Sequence, residues 1–284
     1  MPKTIAFLGP IGTYTDEASY LYAPSAERVP FASLGLVTSA LEEGNVDEAV
    51  VPIENSLGGT VIEVVDFLIA SEKSQIKGEF LLPIDHCLIT RPGVKLSDIR
   101  VVVSKQEALT QCRQFLAREL RFAEQVPATS TALAVVDLKE ADDRTAAIGP
   151  RRAAELAGLP VLAHGIQDRK NNVTRFAVLA SSSMPPSGSD KTTIAFDFDK
   201  PDAPGLVYGA MRPFADRGIN LTKIESRPTG TGMGNYIFLL DLEGHIDEPH
   251  VQQAITELQR HTSTFKVLGA YPRAEGMSVR QLDE

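Results

Sequence analysis

The sequence predicts a larger α/β half followed by a smaller α+β half, and three observations carry that prediction. Over roughly the first 180 residues, short apolar strand candidates alternate with helix-period segments, the pattern of largely parallel sheets. The segment "SSSMPPSGSD" at 181–190 contains only Ser, Met, Pro, Gly and Asp and has no apolar period, so it reads as a linker. After it the order is strand–helix–strand–strand–helix–strand, the split βαβ or ferredoxin-like pattern. The expected division is therefore 1–181, a linker at 182–190, a second domain at 191–273 and a C-terminal tail at 274–284.

In the first half the strand candidates are "TIAFLG", "AVVPI", "RVVVS", "AAIG" and "FAVLA". Between them, "KQEALTQCRQFLAREL" puts Ala108, Cys112, Phe115, Leu116 and Leu120 at helical spacing and predicts one helix. In the second half "TTIAFDF" is a strand, followed by a helix over about 204–217 that Pro204 opens and Gly218 stops. Pro213 lies inside that helix and deletes the backbone hydrogen bond to residue 209, which predicts a kink rather than an end. "NLTKIESR" and "NYIFLLDLEG" predict a hairpin across the glycine-rich "PTGTGMG". A second helix covers about 247–262, and "FKVLGAYP" closes the sheet.

Composition narrows the function classes. With 43% hydrophobic and 23% charged residues, the chain has enough apolar material for sizeable cores. A net charge of −9 argues against a nucleic-acid partner, since such proteins carry basic stripes. The start "MPKTIAFLGP" has a five-residue apolar run, too short for a signal peptide. No stretch approaches the roughly 18 apolar residues of a membrane span. Two cysteines, Cys87 and Cys112, cannot staple a secreted scaffold of this size. The expectation is a soluble, cytoplasmic protein with no membrane or nucleic-acid partner. None of the five histidines pairs at a ligand spacing such as HxxxH, so no metal is expected. His86 and Cys87 are adjacent in a strand and face opposite ways, so buried packing is preferred to a Cys–His nucleophile.

The polar segments fall at strand ends, where ligands gather in open α/β sheets near helix N-termini. "GPIGTYTDEA" at 9–18 follows a strand and opens a helix, but it has neither the Walker Gly-Lys-Ser/Thr nor GxGxxG. Its amides with the Thr13 and Thr15 hydroxyls can seat a carboxylate; equally, Thr15 can serve only as an N-cap. "PIENSLGG" leaves a strand through Glu54, Asn55 and Ser56. "SKQE" at 104–107 reads as a capping box between Ser104 and Glu107, with Gln106 beside them, and "TSTALA" supplies Thr129, Ser130 and Thr131. "RKNNVTRFAVLAS" at 169–181 brings Asn172 and Thr174 together with Arg169, Lys170 and Arg175, and has no acid between 169 and 175. Together these segments predict a pocket for a small dianion, with neutral donors to orient it and cations to offset the acidic background. The polar run forms the floor, and "FAVLA" is the buried strand that holds it.

"PIENS", "AAIG", "NNVTRF" and "GINLTKIESRP", in that order, closely resemble the prephenate dehydratase family with its ACT regulatory domain, over about residues 3–273. The resemblance implies a two-lobed catalytic half, like type 2 periplasmic binding proteins, with a cleft between the lobes. It also implies cofactor-free conversion of prephenate to phenylpyruvate, water and carbon dioxide, on the route to phenylalanine. Electrons released by the leaving carboxylate flow through the ring to the C–O bond, so the transition state needs a hydrogen-bond donor at the departing hydroxyl. The resemblance makes Thr174 the essential residue and that donor, because its hydroxyl is far too weak an acid to ionise. Arg175 either anchors a substrate carboxylate or braces the loop, and Phe176 packs beside it as core. Glu54 is the alternative general acid, although a carboxylate beside a dianion opposes binding. Further substrate contacts are expected from Thr13, Asn55, Ser56, Ser104, Gln106, Thr129, Ser130, Thr131 and Asn172.

For the second half, the resemblance implies L-phenylalanine bound as an effector at an ACT dimer interface, in a homodimer or dimer of dimers. The motif "ESRP" maps to Glu225, Ser226, Arg227 and Pro228, with Asn220 and Leu221 before it and Gly205, Leu206 and Val207 near the first helix. Two departures stand out: Leu206 replaces a usually smaller residue, and Lys105 stands where many members have His. No chorismate-mutase helices precede the first strand, so the monofunctional form is expected. Two other readings are an arogenate dehydratase, whose substrate has an amino group in place of the keto group, and a non-catalytic two-lobed ligand sensor. The intact "TRF" and the missing export signal argue against the sensor.

Overall fold

The structure is a computed structural model and describes residues 2–198, 203–229 and 236–274. Its first strand, β1 (Thr4–Leu8), buries Ile5, Ala6 and Phe7 completely because it is flanked on both sides. β2 (Glu27–Phe31) runs parallel to it on one side and β3 (Glu48–Asn55) on the other. The helices between them are α1 (Tyr14–Tyr22) and α2 (Leu34–Glu42). Their starts are set by side chains: Thr13 accepts from the Asp16 amide, and Ser33 from the Leu36 amide. Thr13, not Thr15, is therefore the N-cap of α1. A two-residue strand, β4 (Gly59–Thr60), folds back on β3, and then α3 (Ile62–Ala70) and β5 (Gln75–Pro83) follow.

After β5 the chain leaves this sheet and builds another from β6 (Cys87–Ile89), β7 (Val101–Lys105), α4 (Gln106–Gln111), α5 (Arg113–Glu119) and β8 (Glu124–Ala128). α6 (Thr131–Asp137), β9 (Thr145–Gly149), α7 (Arg151–Ala157) and β10 (Val161–Ala163) complete it, in the order β10-β6-β9-β7-β8. The chain then returns as β11 (Val173–Ala180), giving the first sheet the order β2-β1-β3-β11-β5. Leaving once and returning once is the path that a two-lobed α/β half requires. The second sheet is mixed, since β7 is parallel to β8 and β9 but β6 is antiparallel to β9 and β10.

The period-2 alternation of β6 and β9 gives this sheet a core on each face. Leu88, Ala146 and Ile148 pack with Val102, Leu109, Cys112 and Leu116. Cys87, Ile89 and Ala147 pack on the other side with Ala132, Val135, Ala153 and Ala154. Burial pushes the Cys87 thiol up to about 11 and the Cys112 thiol up to about 12, so both stay protonated packing groups at neutral pH. The single helix expected over 105–120 is two: Cys112, at φ −109° and ψ 17°, interrupts it. Its apolar period survives the break, because Ala108, Cys112, Leu116 and Leu120 are all buried.

The smaller half is β12 (Asp190–Phe198), α8 (Leu206–Ala215), β13 (Leu221–Pro228), β14 (Tyr236–Glu243), α9 (Pro249–Gln259) and β15 (Thr262–Pro272). Its antiparallel sheet has the order β13-β14-β12-β15, the ferredoxin-like arrangement of a βαββαβ chain. Both helices lie on one face, through Ala210, Phe214, Val251, Ala254 and Leu258 against Ile194, Phe196, Leu240 and Leu242. α8 starts later than expected: Gly205, at φ 87°, is its N-cap, so Pro204 lies outside the helix. Pro213 sits inside α8 without ending it, and α9 is shorter than 247–262. β13 and β14 pair as the hairpin requires, while the turn residues 230–235 and the tail beyond 274 lie outside the described residues.

By contact the chain forms two compact units that are not continuous in sequence. Among the described residues, one comprises those through Ile62 together with Leu81–Phe176; the other joins Glu63–Phe80 to those from Ala177 onward. Within the second unit, Lys191 Nζ pairs with Glu79 at 2.7 Å, Lys266 Nζ donates to the Ile69 carbonyl at 2.9 Å, and Arg227 pairs with Asp66. The linker is tied as well: the Asp190 carboxylate accepts from the Ser187 and Gly188 amides and from the Ser187 hydroxyl.

Candidate active site

β3 and β11 deliver their side chains by strand alternation, and that decides which polar residues meet. Thr174 and Phe176 of β11, with Asn55 at the end of β3, line a pocket of about 250 Å³ in the first unit. Alternation along β11 turns Arg175 away from this pocket, and it pairs with Glu54 at 3.3 Å. Of the two roles open to Arg175, the geometry is that of a brace, and Glu54 is not among the residues lining the pocket. Ser56 is also a fastener: its hydroxyl donates to the Asn171 carbonyl at 3.0 Å and accepts from the Val173 amide at 3.0 Å.

Lys105 comes from the end of β7, Glu107 and Gln111 from α4, Thr131 from the start of α6 and His86 from the connection before β6, while Tyr14 and Thr15 reach the pocket from α1. Several expected contacts serve elsewhere. Thr13 is spent as the α1 cap, with its hydroxyl donating to the Leu8 and Pro10 carbonyls. Ser104 is fully buried and donates to the Ile148 carbonyl at 2.6 Å, so there is no Ser104–Glu107 capping box. Ser104 is a strand residue, and α4 begins only at Gln106; Glu107 pairs instead with Lys105 at 3.5 Å. Ser130 caps α6, and Gln106 and Thr129 are exposed outside the pocket lining.

The expected cation cluster does not enter this pocket. Arg175 faces away, Lys170 is exposed, and Arg169 lines a neighbouring pocket that shares the Gln111–Asn172 wall. The cation lining the site is Lys105. Sequence reasoning did not assign Tyr14 or Gln111 to the site, took His86 as buried packing beside Cys87, and noted Lys105 only as a departure from the family pattern. The available signals were small: a polar Gln111 beside the buried Cys112, and a His86 set between two strands.

The polar side chains form one connected array. Asn55 Oδ1 accepts from the Leu57 and Gly58 amides, both at 2.9 Å. Its Nδ2 donates to Asn172 Oδ1 at 2.8 Å and to Thr174 Oγ1 at 2.9 Å. Asn172 Nδ2 donates to Gln111 Oε1 at 3.2 Å, and His86 Nε2 stands 2.9 Å from that same oxygen. Tyr14 Oη lies 3.1 Å from His86 Nδ1 and 2.8 Å from the Asp85 carbonyl. Burial lowers the His86 pKa, so the ring is neutral at pH 7, and burial raises that of Tyr14 well above its usual value. Thr174 Oγ1 accepts from Asn55, so its own O–H is not used in that bond.

Residues 5–184 match the prephenate dehydratase family. The chain belongs to that family. As a prephenate dehydratase homologue it is a decarboxylating, carbon–oxygen lyase type of chain, and residues 200–260 match the ACT domain. It is 38% identical over 300 residues to a prephenate dehydratase of Mycolicibacterium smegmatis, covering 100% of this chain and 95% of the relative. The crystal structure of prephenate dehydratase from Arthrobacter aurescens in complex with L-Phe superposes with a TM-score of 0.87 at 37% identity, covering 97% and 92% of the two chains. A structure described as a novel type of quorum-quenching acylase is similar at TM-score 0.86 and 29% identity, over 96% of this chain and 99% of that one.

The residues expected at the effector site are all in the second unit. Leu221–Pro228 form β13, an edge strand of the four-stranded sheet, and Asn220 precedes it with its carbonyl accepting from the Glu243 amide. Glu225 pairs with Lys223 at 3.3 Å and Arg227 with Asp66. Gly205 has open space where a side chain would begin, and Val207 is exposed beside it.

Proposed function

We propose that this pocket converts prephenate to phenylpyruvate, with Thr174 as the donor to the departing hydroxyl. The carboxylate leaves as carbon dioxide, its bonding electrons pass through the ring, and the C–O bond breaks as the ring becomes aromatic. The leaving oxygen takes up a proton and departs as water. The observation that carries the reading is the Asn55 amide bonded to Thr174 Oγ1 at 2.9 Å, which leaves the Thr174 O–H directed to a ligand. Lys105 supplies charge for a substrate carboxylate, and Phe176 gives the ring an apolar wall.

An acyl-transfer reading, suggested by the acylase neighbour, calls for an activated nucleophile. The group bonded to Thr174 Oγ1 is the Asn55 amide, a donor rather than a base, and both His86 nitrogens are engaged by Tyr14 and Gln111. The site favours elimination. Purified protein given prephenate and arogenate side by side tests the reading: phenylpyruvate forms from prephenate. Turnover of arogenate alone moves the assignment to arogenate dehydratase, and binding of both without turnover makes the protein a sensor.

The ACT domain suits an effector, and L-phenylalanine is its proposed ligand because a 37%-identical relative is in complex with L-Phe. The proposed seat lies between Asn220–Pro228 of one chain and the Gly205 region of its partner, in a homodimer or dimer of dimers. Inhibition then requires phenylalanine to prefer a less active arrangement, because equal affinity for both states shifts nothing. Calorimetry with the full-length protein detects that binding, and silence at millimolar phenylalanine removes the assignment. No helix among the described residues is long and apolar enough to cross a membrane; a cytoplasmic biosynthetic role is proposed because the relatives are prephenate dehydratases.

A further inference from the structure

The hydrogen-bond array contains three side-chain amides and one imidazole, and a single choice at one end fixes all of their directions. The Leu57 and Gly58 amides can only donate, so the group they meet at 2.9 Å must be Asn55 Oδ1. The Asn55 Nδ2 hydrogens then serve Asn172 Oδ1 at 2.8 Å and Thr174 Oγ1 at 2.9 Å, with the Val173 carbonyl a longer third acceptor at 3.3 Å. Asn172 consequently offers its NH2 to Gln111, and the Gln111 atom shared with His86 is the carbonyl oxygen. Turning Gln111 alone would set its NH2 against that of Asn172. Correcting the clash by turning each amide in sequence ends with the Asn55 NH2 against two backbone N–H groups. Two main-chain donors thus dictate a chain of fixed polarity.

We propose that His86 is a positioning residue: its Nε2–H donates to Gln111 Oε1 and, with Asn172, turns the Gln111 NH2 toward the bound substrate. This rests on the reading of the pocket as the dehydratase site. A bare Nε2 facing an oxygen at 2.9 Å would be repulsive, so the proton belongs on Nε2 and Nδ1 is the acceptor. Tyr14 serves that acceptor at 3.1 Å and shares its single proton with the Asp85 carbonyl at 2.8 Å. His86 is further held by its backbone, whose amide donates to Gln167 Oε1 at 3.0 Å. The consequence is a matched pair of donors, because Gln111 and Thr174 both present hydrogens to the cavity. A substrate rich in oxygen lone pairs, releasing one oxygen as it reacts, is served by donors and opposed by acceptors.

The test begins with the ring itself. In full-length protein labelled with 15N-histidine, two-bond 15N–1H correlation reads which ring nitrogen carries hydrogen, and the His86 signals are assigned by their loss in His86→Gln. Nε2 protonated at pH 7 supports the proposal; an unprotonated Nε2 overturns it. Kinetics with prephenate supply a second arm. The His86→Gln amide can donate from nearly the same place and is expected to stay within about threefold of wild-type kcat, whereas His86→Leu falls by roughly tenfold, as for loss of one hydrogen bond. Equal kcat in the two variants, with matching circular-dichroism spectra, overturns the positioning role. Wild-type protein inactive on prephenate would refute the dehydratase reading, while the ring measurement would still report on the polarity.

Discussion

Exchanging one amide for a carboxylate at Asn55 probes the source of the Thr174 donor. In Asn55→Asp, one carboxylate oxygen keeps the bonds from the Leu57 and Gly58 amides, so the turn after β3 retains its anchor. The other oxygen replaces Nδ2 and meets Asn172 Oδ1 and Thr174 Oγ1, which stand 2.8 and 2.9 Å from the present nitrogen. Thr174 then donates to the new carboxylate and its hydrogen is withdrawn from the substrate. Losing one donor of this kind costs about 10²–10³ in kcat, or about 2.7–4 kcal/mol of barrier. Repulsion adds to KM: a unit charge about 5 Å from a substrate carboxylate, at an effective dielectric of about 20, costs about 3 kcal/mol before screening. Steady-state phenylpyruvate formation, with thermal melting as a check on folding, reads both effects. A folded variant with kcat within about threefold of wild type would refute the claim that Asn55 directs the Thr174 hydroxyl.

Three further substitutions separate charge, general acid and packing. Lys105→Met removes the cation lining the pocket, and KM for prephenate is expected to rise about tenfold or more with a smaller change in kcat; an unchanged KM places the carboxylate contact elsewhere. Glu54→Gln leaves most of the turnover, because Glu54 pairs with Arg175 outside the pocket lining; loss of a limb of the pH–rate profile in this variant would make Glu54 the general acid. Gly269→Ala places a Cβ 2.2 Å from the Ile76 carbonyl oxygen and is expected to destabilise by about 1–3 kcal/mol, seen as a lower denaturation midpoint in urea; an unchanged midpoint contradicts the close approach of β15 to Glu63–Phe80.

The strands most legible in the sequence were the most deeply buried ones. "TIAFL" and "FAVLA" are apolar along their length because neighbours flank them on both sides. β2 and β8, "ERVPF" and "EQVPA", lie at sheet edges, half exposed and containing Pro, and their composition resembles a loop. β6 and β10 are only three residues each, too short for a period to emerge. The break at Cys112 was hidden because the apolar spacing continues through it. In the second half, antiparallel strands and amphipathic helices keep their own periods, so that order was readable throughout.

At the site, Thr174, Asn55, Asn172 and Phe176 could be picked out as polar or apolar marks at strand ends. Arg175 could not be placed by composition, because its direction follows from strand alternation, and Thr174 takes the inward position. Tyr14, His86 and Gln111 come from an N-terminal helix, a connection between sheets and the end of a short helix. Their meeting is a product of the fold, and no local spacing encodes it. The grouping of Glu63–Phe80 with the second unit is likewise non-local: it depends on pairs such as Lys191 with Glu79, which are 112 residues apart.

The central claim is that a donor hydroxyl at residue 174, rather than an ionised nucleophile or a carboxylic acid, assists departure of the substrate hydroxyl. Single-turnover conversion of prephenate by Thr174→Val, compared with wild type at saturating protein, measures that step without product release. The account predicts intact folding, substrate binding within about threefold of wild type, and a chemical step slower by about 10²–10³. A Thr174→Val protein that forms phenylpyruvate at the wild-type rate would contradict it.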